Sequence, residues 1–130
     1  MKYKILIADD ETEIRDVLHL YLDQAGFEVA EAADGLETLS LLEKETPDLL
    51  LLDIMMPKLD GWSVLRQIRQ SSEVPIIMLT ARGEEQDELF GFELGVDEYI
   101  AKPFSPKILV ARVEACLLYT SDAADDSLRV

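Results

Sequence analysis

The sequence predicts an α/β fold, a five-stranded parallel sheet with helices on both faces, and three observations predict it. Short apolar runs alternate with segments of helical periodicity in five β-α repeats, joined by connections of a few residues. Leu49-Leu50-Leu51-Leu52 is apolar at every position, which fits a strand covered on both faces. The 130 residues suffice for one domain with one hydrophobic core.

Lys4 to Ala8 reads as the first buried strand and ends on Asp9-Asp10-Glu11. Ile14, Val17, Leu18, Tyr21 and Leu22 recur at helical spacing, and Gly26 closes that helix. Glu28 to Ala32 alternates, as an edge strand does. Asp34-Gly35 turns into a helix carrying Leu36, Leu39, Leu41 and Leu42, which stops before Pro47. The leucine strand follows and ends on Asp53. A helix from about Trp62 to Gln70 turns Val64, Leu65 and Ile68 inward. Pro75 to Thr80 is a further buried strand, with Pro75 as its first residue, where no ladder bond is lost. Glu84 to Leu94 is a weaker helix ending at Gly95, and Glu98 to Ala101 is the last strand. Ser105 as N-cap and Pro106 at the first helical position start the final helix.

The net charge of −15 repels phosphate backbones and membrane surfaces, so this segment is not expected to bind nucleic acid or membrane itself. No apolar run reaches the length of a membrane span and no signal peptide is present, so the expected location is cytoplasmic. One cysteine permits neither an internal disulfide nor a cysteine-based metal site. The first strand is followed by neither a dinucleotide fingerprint nor a P-loop, which argues against nucleotide binding.

The polar residues at the strand ends carry the chemistry. The first strand delivers Asp9 and Asp10, the third Asp53, the fourth Thr80, and the fifth is followed by Lys102-Pro103. Carboxyl ends of strands form the ligand crevice of an open α/β sheet. A charge at the mouth of so apolar a strand as the leucine run is costly unless it is used, paired or solvated. Taken singly, each residue has an ordinary explanation as a cap, a solvated strand end or a surface charge; their coincidence at strand ends does not. Three carboxylates in one crevice raise one another's pKa unless a cation joins them. Oxygen ligands in a partly hydrated site suit Mg²⁺. A carboxylate can attack phosphorus and form an aspartyl phosphate, while a metal and a lysine offset charge on the transferring oxygens.

On the motifs Ala8-Asp9-Asp10-Glu11, Leu51-Leu52-Asp53-Ile54-Met55-Met56-Pro57, Asp60-Gly61, Pro75-Ile76-Ile77-Met78-Leu79-Thr80-Ala81 and Lys102-Pro103-Phe104-Ser105-Pro106, the chain resembles a CheY-like response regulator receiver domain of the OmpR/PhoB type. The resemblance runs from Lys2 to about Ala115. It implies a flavodoxin-like sheet of order 2-1-3-4-5. It implies that Asp53 accepts a phosphoryl group from a sensor histidine kinase, and that there is no external substrate, only self-directed phosphotransfer and autodephosphorylation. Asp10, Asp53 and the backbone carbonyl of Met55 are then the direct Mg²⁺ ligands, with Asp9 acting through water. Lys102, on a cis Lys102-Pro103 bond, contacts the phosphoryl group. Thr80 swings toward it and Tyr99 turns inward. This shifts the face formed by the helix over 84–94, the last strand and the final helix, through which the subfamily dimerises. DNA is reached only through a C-terminal domain missing here. Met55 and Arg82 resemble those of slowly dephosphorylating members.

Two alternatives fit less well. An aspartate-nucleophile phosphatase wants a second Asp two residues after the first, where this chain has Met55. A flavodoxin-like redox protein needs a hydroxyl-rich phosphate loop, and Asp9-Asp10-Glu11 repels a flavin phosphate. His19 is expected to be solvated, Trp62 to pack, and the side chains of Met55, Met56 and Met78 to fill core or loop rather than bind. Ile108 and Glu114 stand where the subfamily carries an acidic and a basic residue on its dimer face, which weakens the expected dimer; Asp97 and Arg112 remain for a cross-subunit pair. Cys116 to Asp126 read as the translation of a common transposase sequencing adaptor. Residues 1–115 are therefore taken as the receiver domain and residues 116–130 as a non-native tail.

Overall fold

The computed structural model describes residues 2–81 and 95–121. The helix expected over Glu84 to Leu94, Arg82 and residues 122–130 lie outside the described residues. Strands β1 (Lys4–Ala8), β2 (Glu28–Ala32), β3 (Leu49–Asp53), β4 (Ile76–Ala81) and β5 (Glu98–Lys102) form one parallel sheet in the order β2-β1-β3-β4-β5. Helices α1 (Thr12–Gln24), α2 (Gly35–Glu45) and α3 (Gly61–Arg69), with a C-terminal helix (Pro106–Ser121), cover it. This is the flavodoxin-like α/β fold. The winding reverses between β1 and β3, which leaves a crevice above their carboxyl ends.

Alternation along each strand splits the core into two layers. Ile5, Ile7, Leu49, Leu51, Ile77, Leu79 and Ile100 face α1 and the C-terminal helix, where they meet Leu18, Leu22, Leu109 and Val113. Leu6, Ala8, Leu50, Leu52, Ile76 and Met78 face α3 and its Val64, Leu65 and Ile68, with Leu39, Leu41 and Leu42 of α2 packed alongside. Four consecutive leucines are thus two pairs serving opposite layers. β2 and β5 are the edges, and both are only partly buried.

Some boundaries differ from expectation. β4 begins at Ile76, and Pro75 contributes its carbonyl to the Leu50 N–H instead. β5 runs on to Lys102. In α2, Leu36 is exposed and Thr38 is buried in its place, its hydroxyl donating to the Asp34 carbonyl at 2.7 Å. Among the described residues, no helix is long and apolar enough to cross a membrane.

Both Asp-Gly pairs do the same work at a helix start. Asp34 accepts from the Glu37 N–H at 2.8 Å and Asp60 from the Ser63 N–H at 2.9 Å, each capping its helix. The glycine that follows lets the helix approach the β3–α3 loop closely. A Cβ on Gly35 would stand 2.0 Å from the Leu59 carbonyl oxygen, and one on Gly61 2.5 Å from the Asp53 carbonyl oxygen. The segment after Asp53 is therefore pinned between two helix N-termini, and Lys58 adds an ion pair to Asp34 at 3.4 Å.

The C-terminal helix continues through Cys116 and Leu117, and Leu117 is 3% exposed in the layer beneath α1. Leu109, Val113 and Leu117 recur every fourth residue on its buried side. Replacing Leu117 by Ala is expected to lower the unfolding free energy in urea by about 2 kcal/mol, the low end for a buried leucine because the site lies toward a helix end. Gly61→Ala is expected to lower it by about 1–3 kcal/mol, since backbone rather than a side-chain tip must give way. Parental unfolding curves for either variant would contradict the packing described.

Candidate functional site

Three strands place their last residues on one face of the sheet. Ile5 and Ile7 are followed at the same phase by Asp9, Leu49 and Leu51 by Asp53, and Ile100 by Lys102. The register Ala8↔Leu52, carried one residue further, sets Asp9 opposite Asp53. Asp9 and Asp53 are thus the polar ends of otherwise apolar rows, and Lys102 follows Ile100 in a row that begins at Glu98. Thr80 belongs to the other face. It follows Met78, whose register partner is Tyr99, so Thr80 and Tyr99 share the layer that faces α3. Thr80 is buried and Tyr99 half-buried.

Lys102 Nζ lies 3.0 Å from Asp9 Oδ2, 3.3 Å from Glu11 Oε2 and 3.5 Å from Asp53 Oδ1. Asp9 is fully buried and Asp53 is 4% exposed, whereas Asp10 faces solvent. The Met55 N–H donates to Asp53 Oδ1 at 3.3 Å and the Glu11 N–H to Asp9 Oδ1 at 2.9 Å. Among the described residues, Asp9 Oδ2 is buried and accepts no aligned hydrogen bond, and the charge of Lys102 lies beside it. Carboxylate oxygens of Asp9, Asp10 and Asp53 all lie within 4.8 Å of one another, an acidic cluster able to coordinate a metal ion. The Lys102-Pro103 bond is cis, as the resemblance implied.

Burial and then the charge of Asp9 push the Asp53 carboxyl up to about 7, with a smaller push from Asp10, against the opposing pull of Lys102 and the Met55 N–H. Burial alone would lower the Lys102 ammonium; the carboxylates of Asp9, Asp53 and Glu11 outweigh it and raise it. Lys102 therefore stays charged, and among the described residues it faces the carboxylates of Asp9, Glu11 and Asp53 together. Beside the cluster opens a groove of about 720 Å³, walled by Ile14, Val17, Pro103, Phe104 and Pro106.

Glu11 was not among the expected site residues, though as the third acid of the loop it was in view. Arg15 and Glu31 were missed. Arg15 Nη1 donates to the Asp9 carbonyl oxygen at 2.6 Å and Nε to Glu31 Oε1 at 3.1 Å. The available signal was phase: Glu31 has the parity of Val29 in β2 and so points toward α1, where a charge requires a partner. His19 is not simply solvated, as expected, because its Nδ1 stands 2.6 Å from Glu31 Oε2. Asp97 and Arg112, expected to be free for a cross-subunit pair, are engaged within the chain. Asp97 accepts from the Ile76 N–H at 2.8 Å and pairs with Arg69, and Arg112 pairs with Glu98. Met55 is 75% exposed, Met56 and Met78 are buried, and Trp62 packs half-buried against the α3 layer.

Residues 5–114 match the response regulator receiver domain family. The ycf27 regulator of Guillardia theta is 53% identical over 126 residues, covering 97% of this chain and 50% of that protein. The alkaline phosphatase synthesis transcriptional regulatory protein PhoP of Bacillus subtilis is 48% identical over 128 residues, covering 98% of this chain and 53% of that protein. The chain thus spans about half the length of the curated relatives it matches. Among solved structures, the receiver domain of the Francisella response regulator 1452 superposes with a TM-score of 0.87 at 34% identity, over 92% of this chain and 99% of that one. With its sheet order, its acidic cluster and this coverage, the chain belongs to the CheY-like response regulator receiver domains and is related to regulators of the OmpR/PhoB type.

Proposed function

We propose that Asp53 is the phosphoacceptor of this receiver, taking a phosphoryl group from a phosphohistidine of a sensor histidine kinase with Mg²⁺ held beside it. The observation that carries this reading is the Asp53 carboxylate, nearly buried at the end of β3 and 3.5 Å from Lys102, within one cluster with Asp9 and Asp10. The donor set fits Mg²⁺: it is all oxygen, and among the described residues Asp9 Oδ2 is a buried acceptor without a hydrogen bond. Asp10, Asp53 and the Met55 carbonyl would hold the ion directly, with Asp9 through water. When bound, Mg²⁺ offsets the negative charge of the transferring oxygens.

The chain's own residues then divide the work. The Met55 N–H orients the Asp53 carboxylate, one oxygen of which bonds to phosphorus as the bond to the donor imidazole breaks. Lys102, already placed by Asp9 and Glu11, supplies a fixed positive charge to the phosphoryl group. The groove along Ile14, Val17 and Phe104 is wide enough to admit a donor side chain to a carboxylate that is otherwise covered. Thr80 and Tyr99 are the switch pair: they share a sheet face on adjacent strands, so a hydroxyl drawn toward the phosphoryl group frees space toward the ring. The response is read on the face that includes β5 and the C-terminal helix, the surface a homodimer would use, although Asp97 and Arg112, the pair expected to bridge it, are engaged within the chain. The output is transcriptional, through a DNA-binding domain beyond this segment; its support is the regulatory role named for the twice-longer relatives. The protein works in the cytoplasm. Residues 116–130 are a non-native tail, and codons other than those of the adaptor in the underlying nucleotide read would overturn that assignment.

Intact mass after incubation with acetyl phosphate and Mg²⁺ tests the central claim. One added phosphoryl group is expected on the parent, none on Asp53→Ala, and none with chelator present. A folded parent that binds Mg²⁺ yet keeps its mass would overturn it.

The raised Asp53 pKa predicts a pH signature in the metal-free protein. The folded state keeps a proton that the unfolded state releases near 3.8, so the contribution of Asp53 to stability falls as pH rises from there to about 7 and is flat above. Asp53→Asn should match the parent at the acid end and exceed it in stability above neutrality. Mg²⁺ should reverse that order by stabilising the parent alone. Denaturant unfolding across this pH range checks both signs; a pH-independent difference would contradict the account.

A further inference from the structure

Arg15 lies outside the acidic cluster but holds the backbone from which two of its carboxylates hang. Its side chain, only 15% exposed, reaches from the first turns of α1 back over the β1–α1 loop. There Nη1 meets the Asp9 carbonyl oxygen at 2.6 Å. That oxygen belongs to the peptide joining Asp9 to Asp10. The peptide is planar, so tilting it changes ψ of Asp9 and φ of Asp10 together. With residue 9 held, this hydrogen bond bears on where the Asp10 carboxylate points relative to that of Asp9.

The remaining contacts of this stretch leave that junction to Arg15. The Asp9 N–H donates to the Ala32 carbonyl at 3.1 Å, which extends the β1–β2 ladder by one residue. The Glu11 N–H closes on Asp9 Oδ1. Both fix residue 9, and neither touches the carbonyl that leads into Asp10. The guanidinium is itself aimed: Nε donates to Glu31 Oε1 at 3.1 Å, and His19 holds the other oxygen of Glu31 at 2.6 Å. A planar fork can serve Glu31 and the Asp9 carbonyl at once, which a single ammonium cannot.

We propose that Arg15, oriented by Glu31, is a positioning residue for the metal site, setting the Asp9–Asp10 peptide so that both carboxylates converge with Asp53. The assignment rests on the Mg²⁺ reading given above. It makes a prediction opposite in sign to a purely electrostatic role. A guanidinium near a cation site repels the cation, so its removal as mere charge would tighten Mg²⁺ binding. Removal of a residue that orients metal ligands weakens binding, commonly about 10–100-fold.

Calorimetric Mg²⁺ titration at fixed ionic strength of the parent, Arg15→Gln and Arg15→Lys decides between them. Thermal unfolding and amide exchange at Asp10 and Glu11 are measured on the same metal-free samples. Both variants are expected to unfold cooperatively, to bind Mg²⁺ about 10-fold or more weakly, and to exchange these amides faster than the parent. Unchanged or tighter binding in folded variants would overturn the proposal, as would weaker binding in Arg15→Gln with parental binding in Arg15→Lys. Should Arg15→Gln fail to fold, Arg15→Lys and Glu31→Gln carry the test at high salt, where distant charge is screened. Both are then expected to bind several-fold more weakly, and parental affinity in either would overturn the role. A parent that takes up no Mg²⁺ overturns the metal reading itself, and this role with it.

Discussion

The contact between Lys102 and two buried carboxylates, Asp9 and Asp53, is the interaction on which the rest of the site depends. Removing an ion from water costs several kcal/mol even after the protein relaxes, and is offset only by close opposite charge and by hydrogen bonds. Here the compensation is incomplete. Among the described residues, a single ammonium is shared by Asp9, Asp53 and Glu11 and one buried oxygen of Asp9 has no hydrogen bond, and the Asp53 carboxyl is pushed up to about 7. A purely structural ion cluster would be closed. This one is left deficient in positive charge at the mouth of a groove, which is the condition that favours uptake of a cation and of a group whose oxygens need neutralising.

The fold creates that condition by simple means. Because side chains alternate along a strand, an apolar row that ends in a charge delivers that charge to the same layer as the row. Two such rows, in β1 and β3, end side by side at the carboxyl edge where the sheet winding reverses, and Lys102 at the end of β5 reaches them. The two capped helix starts, with Gly35 and Gly61 against the β3–α3 loop, then hold the chain just beyond Asp53 from both sides. Sheet geometry sets the direction of the carboxylate, and close backbone packing sets its distance from its neighbours.

Much of this was legible in the sequence, because apolar patterning encodes it directly. The five strands, their parallel arrangement and the polar residues at their ends follow from runs such as Leu49 to Leu52 and from the abruptness with which Asp53 ends one. What was not legible depends on how a helix is rotated over the sheet. Nothing in the spacing of Arg15 and Glu31 shows that they meet, since this requires the position of α1 relative to β2. For the same reason periodicity placed Leu36 in the apolar stripe of α2, whereas the rotation of the helix leaves Leu36 exposed and Thr38 inside. The commitment of Asp97 to the Ile76 N–H and to Arg69 is likewise a tertiary fact, set by two loops that approach from distant parts of the chain.

The alternation that builds the site also divides the molecule. Asp9, Asp53 and Lys102 end rows that face α1 and the C-terminal helix, while Thr80 and Tyr99 lie on the opposite side with Met78. The sheet is then a partition with the proposed phosphoacceptor on one side and the proposed switch pair on the other, and the end of β4 is the doorway between them. Exposed residues along α1 that select a donor can change without disturbing the layer that holds Thr80 and Tyr99. One scaffold can therefore be rewired at its input while its output is conserved, or the reverse, so long as the few backbone positions at that strand end are left alone.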